Sequence, residues 1–158
     1  MDALVWGRKR GGSVPVLRDD AVVASIWPSH LRERAEAEVD ARHWSYARRS
    51  RALRATLTPE PEPRMVATRP SMMRQAWDIR TDRATYRIEP MGMFQSGYRV
   101  LRDGAQVGTS ARAGFWSSRP TLEVDSSVSA DEQVFLLWVA YIMRRRGGAA
   151  ASSAGAAS

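Results

Sequence analysis

From Val134 to Met143 the chain reads Val-Phe-Leu-Leu-Trp-Val-Ala-Tyr-Ile-Met, an unbroken apolar run that ends at Arg144-Arg145-Arg146. Ser129 precedes it and Glu132 follows three residues later, the spacing of a capping box that opens a helix. A helix over 129–146 is therefore expected. With no polar stripe it has no solvent face, so it must be enclosed. A bilayer span needs about 20 apolar residues, and this run is too short. The enclosing wall has to be protein, with Val134, Phe135, Leu137, Trp138, Tyr141 and Ile142 as core contacts.

The rest of the chain supplies material for such a wall. Val14 and Val16, then Val22, Ala24 and Ile26, alternate around Arg18-Asp19-Asp20. Ala35-Glu36-Ala37-Glu38-Val39 has the composition of a helix, but its spacing is that of a strand. Trp44 and Tyr46 alternate next, then Leu53, Ala55 and Leu57, Met65 and Ala67, Trp77 and Ile79, Tyr86 and Ile88. Thr58 to Arg64, with three prolines, predicts an extended acidic loop. Pro90-Met91-Gly92 predicts a turn, and Asp103-Gly104 a tight hairpin. Val107, Ala111, Ala113 and Phe115, then Leu122 and Val124, close the series. Val16 to Ala24 and Val100 to Gly108 agree at six of nine positions, either a duplicated hairpin or two ordinary Asp-containing ones.

About twelve strands of ordinary length result. Strands without a second layer of helices pack sheet on sheet or close into a barrel. Eight strands leave room only for side chains, whereas about twelve enclose a wider interior. A helix is ~10 Å across, and Ala130 to Met143 would be ~21 Å long, close to one strand length. The expected fold is therefore all-β with one helix: a closed antiparallel barrel of about twelve strands around a buried hydrophobic C-terminal helix. It would occupy residues 1–146. The tail 147–158 contains only Gly, Ala and Ser, a composition that predicts disorder.

Three stretches resemble the tubby C-terminal domain superfamily, which includes phospholipid scramblases and the LURP-one-related proteins. They are Tyr86-Arg87-Ile88 through Asp103-Gly104, Val107-Gly108 with Gly114-Phe115, and Ser129 through Ile142. The resemblance implies a twelve-strand barrel threaded by an apolar helix, and association with anionic membrane lipid. No segment matches the tubby phosphoinositide site, so no binding residue carries over. The chain has no cysteine and no acidic cluster with EF-hand-like spacing. The acylation and calcium site of scramblases therefore do not carry over either.

Chemistry is sparse. The absence of cysteine excludes disulfides, thiolate metal sites and cysteine nucleophiles. His30 and His43 are the only histidines, too few for an ordinary zinc site; His43 lies three residues after Asp40 and beside Trp44, and a catalytic reading needs a nucleophile held near it. Gly92 to Gly97 lacks the Lys-Ser/Thr of a P-loop, and Ser110 and Ser117 lack a nucleophile elbow. No enzyme, cofactor or metal is expected. Met72-Met73, and Met91 with Met93, read as adaptable core or loop packing.

The net charge is +7, almost all from arginine, and it is spread evenly: +3 over residues 1–64, +3 over 65–128 and +1 over the remainder. Two basic groups are candidates for an anionic ligand. Arg48, Arg49, Arg51 and Arg54 follow Trp44 and Tyr46, an interleaving that could also serve nucleic acid by stacking and phosphate pairing. Arg144, Arg145 and Arg146 could meet lipid phosphates, or cap a helix C-terminus. The leading expectation is a non-catalytic binding or scaffold domain associating with anionic membrane lipid; the alternative is an Arg-mediated nucleic-acid binder. Met1 to Trp6 lacks the pattern of a signal peptide. A cytoplasmic protein, peripheral to any membrane it meets, is the matching expectation.

Overall fold

The computed structural model describes residues 3–92, 95–114 and 117–156, with backbone alone for 95, 96 and 148–156. Twelve strands precede one helix: β1 (Leu4–Trp6), β2 (Val14–Arg18), β3 (Ala21–Pro28), β4 (Arg34–Val39), β5 (Arg42–Arg49), β6 (Ala52–Leu57), β7 (Met65–Thr68), β8 (Trp77–Arg80), β9 (Thr85–Gly92), β10 (Gln95–Arg102), β11 (Ala105–Arg112), β12 (Pro120–Val124) and α1 (Ala130–Ala156). Each strand pairs antiparallel with its sequence neighbours, and β1 closes on β12 through Leu4–Leu122 and Val5–Thr121. This is the expected closed barrel. Its connections alternate between two mouths. Those after β2, β4, β6, β8 and β10 lie where α1 begins, at the lower mouth; the others lie at the upper mouth, where α1 leaves.

The strand reading of Ala35 to Val39 holds, and the structure explains its helix-like composition. Ala35 pairs with Tyr46, which pairs on its other side with Ala55. Ala37 pairs with Trp44. All five residues are buried. Alanine on the flanking strands leaves space for the large rings of β5, and Tyr46 packs against Phe135 and Trp138 of α1, with ring centroids 5.3 and 5.2 Å away. Composition here follows the neighbour's volume rather than local propensity.

Helix α1 is enclosed as its sequence requires. Val134, Phe135, Leu137, Trp138 and Ile142 are each at most 2% exposed. Tyr141, partly buried, stacks on Trp6 with centroids 4.2 Å apart. The Ser129 hydroxyl accepts the Glu132 amide at 3.3 Å and donates to the Glu132 carboxylate at 2.7 Å. The first turn presents three buried polar side chains, each held by a different part of the wall. Asp131 pairs with Arg42 and accepts Trp44 Nε1–H at 3.1 Å. Glu132 accepts the Thr81 hydroxyl at 2.9 Å, and Gln133 accepts an Arg18 guanidinium N–H at 2.6 Å.

Several local expectations change. The helical backbone continues through Gly147 to Ala156, where a disordered tail was expected. Arg144 to Arg146 therefore sit within the helix and cap no C-terminus. Pro90 lies inside β9, paired with Tyr98, so the strand runs past the expected turn. The loop 58–64 bends instead of running extended: the Glu60 amide donates to Leu57 O at 2.7 Å, and Arg64 Nε donates to Glu60 at 2.7 Å. Met72 and Met73 are 72% and 93% exposed, not packed. Phe115 and Met93 lie outside the described residues.

The sequence echo is a structural one. Val16 pairs with Ala24 and Val100 with Gly108, each followed by a bulge before Leu17 or Leu101. Both turns place their two central residues at positive φ, Asp19 and Asp20 in one, Asp103 and Gly104 in the other, the geometry of a type I′ turn. Where β3 has Ala24, β11 must have Gly108, because a Cβ there would lie 2.1 Å from Glu123 O.

Three outcomes test this architecture. Leu137→Asp places an unpaired carboxylate in the core, at a cost of several kcal/mol against a typical domain stability of ~5–15 kcal/mol; circular dichroism should show loss of the cooperative fold. Ala41 sits at φ 60° in the β4–β5 turn. Ala41→Gly relieves that conformation and should stabilise the protein by about 1 kcal/mol in urea denaturation. Burial pushes the Tyr46 hydroxyl far above its ordinary value of about 10. Burial and the Glu132 carboxylate push that of Tyr86 up to about 12. A raised folded-state pKa contributes stability that is complete below 10 and lost as pH rises through the folded value. In an absorbance titration these two tyrosines should ionise late, together with loss of tertiary structure, and Tyr46→Phe should remove one phenolate from that late step.

Candidate anion-binding groove

Strand alternation decides which side chains leave the barrel. On β4, Arg34 points outward beside the inward Ala35; on β5, Ser45 and Ala47 do so; on β6, Arg54 and Thr56. Register places Arg34 opposite Ala47, and Ala47 opposite Arg54. The next outward row is Glu36, Ser45 and Thr56. Small side chains on the middle strand, flanked by long ones, make a trough. The bent loop 58–63 walls it at the lower mouth, while Leu31 to Glu33, Arg48, Arg49, Arg145 and Arg146 wall it at the upper mouth. The volume is about 1230 Å³.

Seven arginines line this groove against Glu33, Glu60 and Glu62. Two of the three carboxylates are already neutralised. Glu33 receives Arg146 Nε–H at 2.8 Å, and Glu60 is bonded by Arg64, whose guanidinium holds its carboxyl below the usual range. Among the described residues, Arg32, Arg34, Arg48, Arg49 and Arg54 have no carboxylate within ion-pair distance. A second outer hollow, about 840 Å³ beside β7 to β9, has balanced charge, with Arg64, Arg80 and Arg87 facing Asp78, Asp82 and Asp103. Its Arg87–Asp78 pair, at 2.7 Å, is already closed.

The expected basic residues divide. Arg48, Arg49, Arg54, Arg145 and Arg146 meet in the groove although some ninety residues separate the two groups. Arg51, on the β5–β6 turn, is exposed outside it. Arg144 turns towards the wall: it lies over the Tyr98 ring at 4.9 Å, and burial lowers its pKa. Arg145 donates to His30 O at 2.7 Å, and Arg146 lies over Trp77 at 4.9 Å. Trp44 and Tyr46 face the core, so they offer no stacking surface to bases. Arg32 and Arg34 were missed by sequence. The alternation that begins at Ala35 extends back to Arg34 and could have found it; nothing in the sequence marks Arg32. His43 bonds Glu36 at 3.0 Å on the open outer surface. Among the described residues no three His, Asp or Glu side chains gather as a metal site.

Charge is also sorted between the mouths. Upper-mouth connections carry Arg8, Lys9, Arg10, Arg32, Arg51, Arg69, Arg74 and Arg119, with Glu33 alone opposing them, and Arg144 to Arg146 leave there. Lower-mouth connections carry Asp19, Asp20, Asp40, Glu60, Glu62, Asp82, Asp103 and Asp125 against Arg64 and Arg83. The even spread along the sequence conceals this, because successive connections go to opposite mouths. Comparison with family models, with curated proteins and with solved structures gives no match.

Proposed function

We propose that this protein is a non-catalytic binding domain that associates with anionic phospholipid through the groove on β4 to β6. The observation that carries the reading is the row Arg34–Ala47–Arg54, two guanidinium groups flanking a small residue, with Arg32, Arg48 and Arg49 nearby and, among the described residues, no carboxylate paired to any of them. Adjacent strands lie ~4.8 Å apart, so Arg34 and Arg54 project from positions roughly 10 Å apart, a gap that admits a phosphodiester headgroup. Guanidinium groups pair with phosphate oxygens in a bidentate manner. The resemblance to tubby-like domains supports the same reading, since a barrel threaded by an apolar helix and lipid association are what it implies. The nucleic-acid alternative keeps the arginines but loses the aromatic platform it relied on.

Sedimentation with vesicles tests this. The protein should pellet with phosphatidylcholine vesicles containing phosphatidylserine and not with phosphatidylcholine alone, and less so at higher salt. Each basic residue near such a surface contributes about 1 kcal/mol, so Arg34→Ala with Arg54→Ala should weaken binding ~30-fold. Arg80→Ala with Arg83→Ala, outside the groove, should have little effect. Pelleting that ignores anionic lipid, or tighter and salt-sensitive binding to labelled DNA, would overturn the assignment.

A further inference from the structure

Among the described residues, three side chains on the upper rim have no packing partner that the fold explains. Leu31 is 94% exposed, Met73 93% and Met72 72%. Leu31 is at the tip of the β3–β4 connection, and the two methionines are at the tip of the β7–β8 connection. Both tips belong to the arc of the barrel that carries the groove. A large apolar side chain held in water is disfavoured, and three on one rim form a feature that calls for a partner.

Their loops are built to hold them out. The Ser29 amide donates to Arg34 O at 2.8 Å, closing the first loop at its base. Arg145 ties that loop to α1 through His30 O, and Arg146 does so through Glu33. In the second loop the Arg69 guanidinium donates to Met72 O at 3.3 Å and to Arg74 O at 3.0 Å, and the Met73 amide donates to Ser71 Oγ at 3.1 Å. His30 O, Met72 O, Arg74 O and the Met73 amide, all beside the apolar tips, are thus already bonded within the protein. That lowers the cost of taking the tips out of water.

We infer that these tips are a membrane-insertion edge: Leu31, Met72 and Met73 enter the interfacial layer of an anionic bilayer and set the barrel's orientation on it. The inference rests on the lipid reading above and adds the contact geometry. Charge selects a bilayer over a protein partner. Arg32 follows Leu31, Arg74 follows Met73 and Arg51 is on the β5–β6 turn of the same rim, while Glu33, the rim's one acid among the described residues, is paired with Arg146. Apolar tips ringed by arginine suit a layer whose phosphates lie directly above hydrocarbon. Approach is oblique, because α1 continues outward through Ala156 at the same mouth. Insertion adds a component of binding that salt does not screen, unlike that of the groove.

The chain contains no cysteine, so single-site labelling is unambiguous. Met73→Cys, and Ala41→Cys at the lower mouth, are each labelled with an environment-sensitive fluorophore and mixed with phosphatidylserine-containing vesicles. The Met73 label should shift to the blue, brighten and be quenched by doxyl-labelled lipid, while the Ala41 label should not respond. Leu31→Gln, Met72→Gln and Met73→Gln together should weaken binding about tenfold and make the remainder fully salt-sensitive. A label that stays aqueous on vesicle-bound protein, with groove variants still impaired, overturns insertion and leaves the lipid reading standing. A blue shift without vesicles assigns the rim to self-association and overturns insertion. Absence of any vesicle binding overturns both.

Discussion

An α-helix that is apolar on every side needs apolar contacts in every direction, and one neighbouring sheet cannot provide them. In this chain Val134 to Met143 is met by a wall closed through twelve strands, and among the described residues the inward side chains of that wall share one core with it. Neither part can bury its apolar surface alone, so helix and barrel should form cooperatively. The inner face shows the fit in detail: alanines on β4 and β6 stand beside the rings of β5, which reach inward to Phe135 and Trp138.

Hydrophobic contact alone would leave the rotation of such a helix poorly specified, since turning it exchanges one apolar side chain for another. The polar residues at its two ends remove that freedom. Asp131, Glu132 and Gln133 point in three directions about 100° apart, and are held from β5, the β8–β9 connection and β2. At the upper mouth Arg145 and Arg146 bond the β3–β4 connection. Depth and rotation are thus fixed by charge-assisted bonds, while stability comes from the apolar middle. Asp131, Glu132 and Gln133 are buried and would be costly unpaired, so they also disfavour alternative registers.

The sequence showed the scaffold more fully than the surface. Period-two alternation and one continuous apolar run are direct consequences of burial on one face or on all faces, so the strands, the helix and the barrel that must join them were legible. The groove was legible only in part, because its residues come from β4, β5, β6 and the helix exit, and only register brings Arg34 beside Arg54 across Ala47. Arg144 to Arg146 could be read as a helix cap because the helix was expected to end at 146; it runs on past them. Met72 and Met73 looked like packing residues because nothing in a sequence tells an exposed methionine from a buried one. The charge pattern was the least visible of all, since a meander sends alternate connections to opposite ends and averages them along the chain.

That segregation follows partly from backbone geometry. Three lower-mouth hairpins are two-residue turns in which Asp19 and Asp20, Asp40 and Ala41, and Asp103 and Gly104 adopt positive φ. Aspartate, asparagine and glycine tolerate that conformation best, so tight turns at one mouth draw aspartate there. The positive end of the α1 dipole lies at the same mouth and is compatible with those charges. The β3–β4 and β7–β8 connections at the upper mouth are longer and hold no residue at positive φ, so arginine can accumulate on them without opposing the folding requirements of the turns. A barrel basic at one mouth and acidic at the other experiences a torque in the field of an anionic surface before any contact forms. The upper rim and its groove are then turned towards that surface first, and the acidic mouth is turned away.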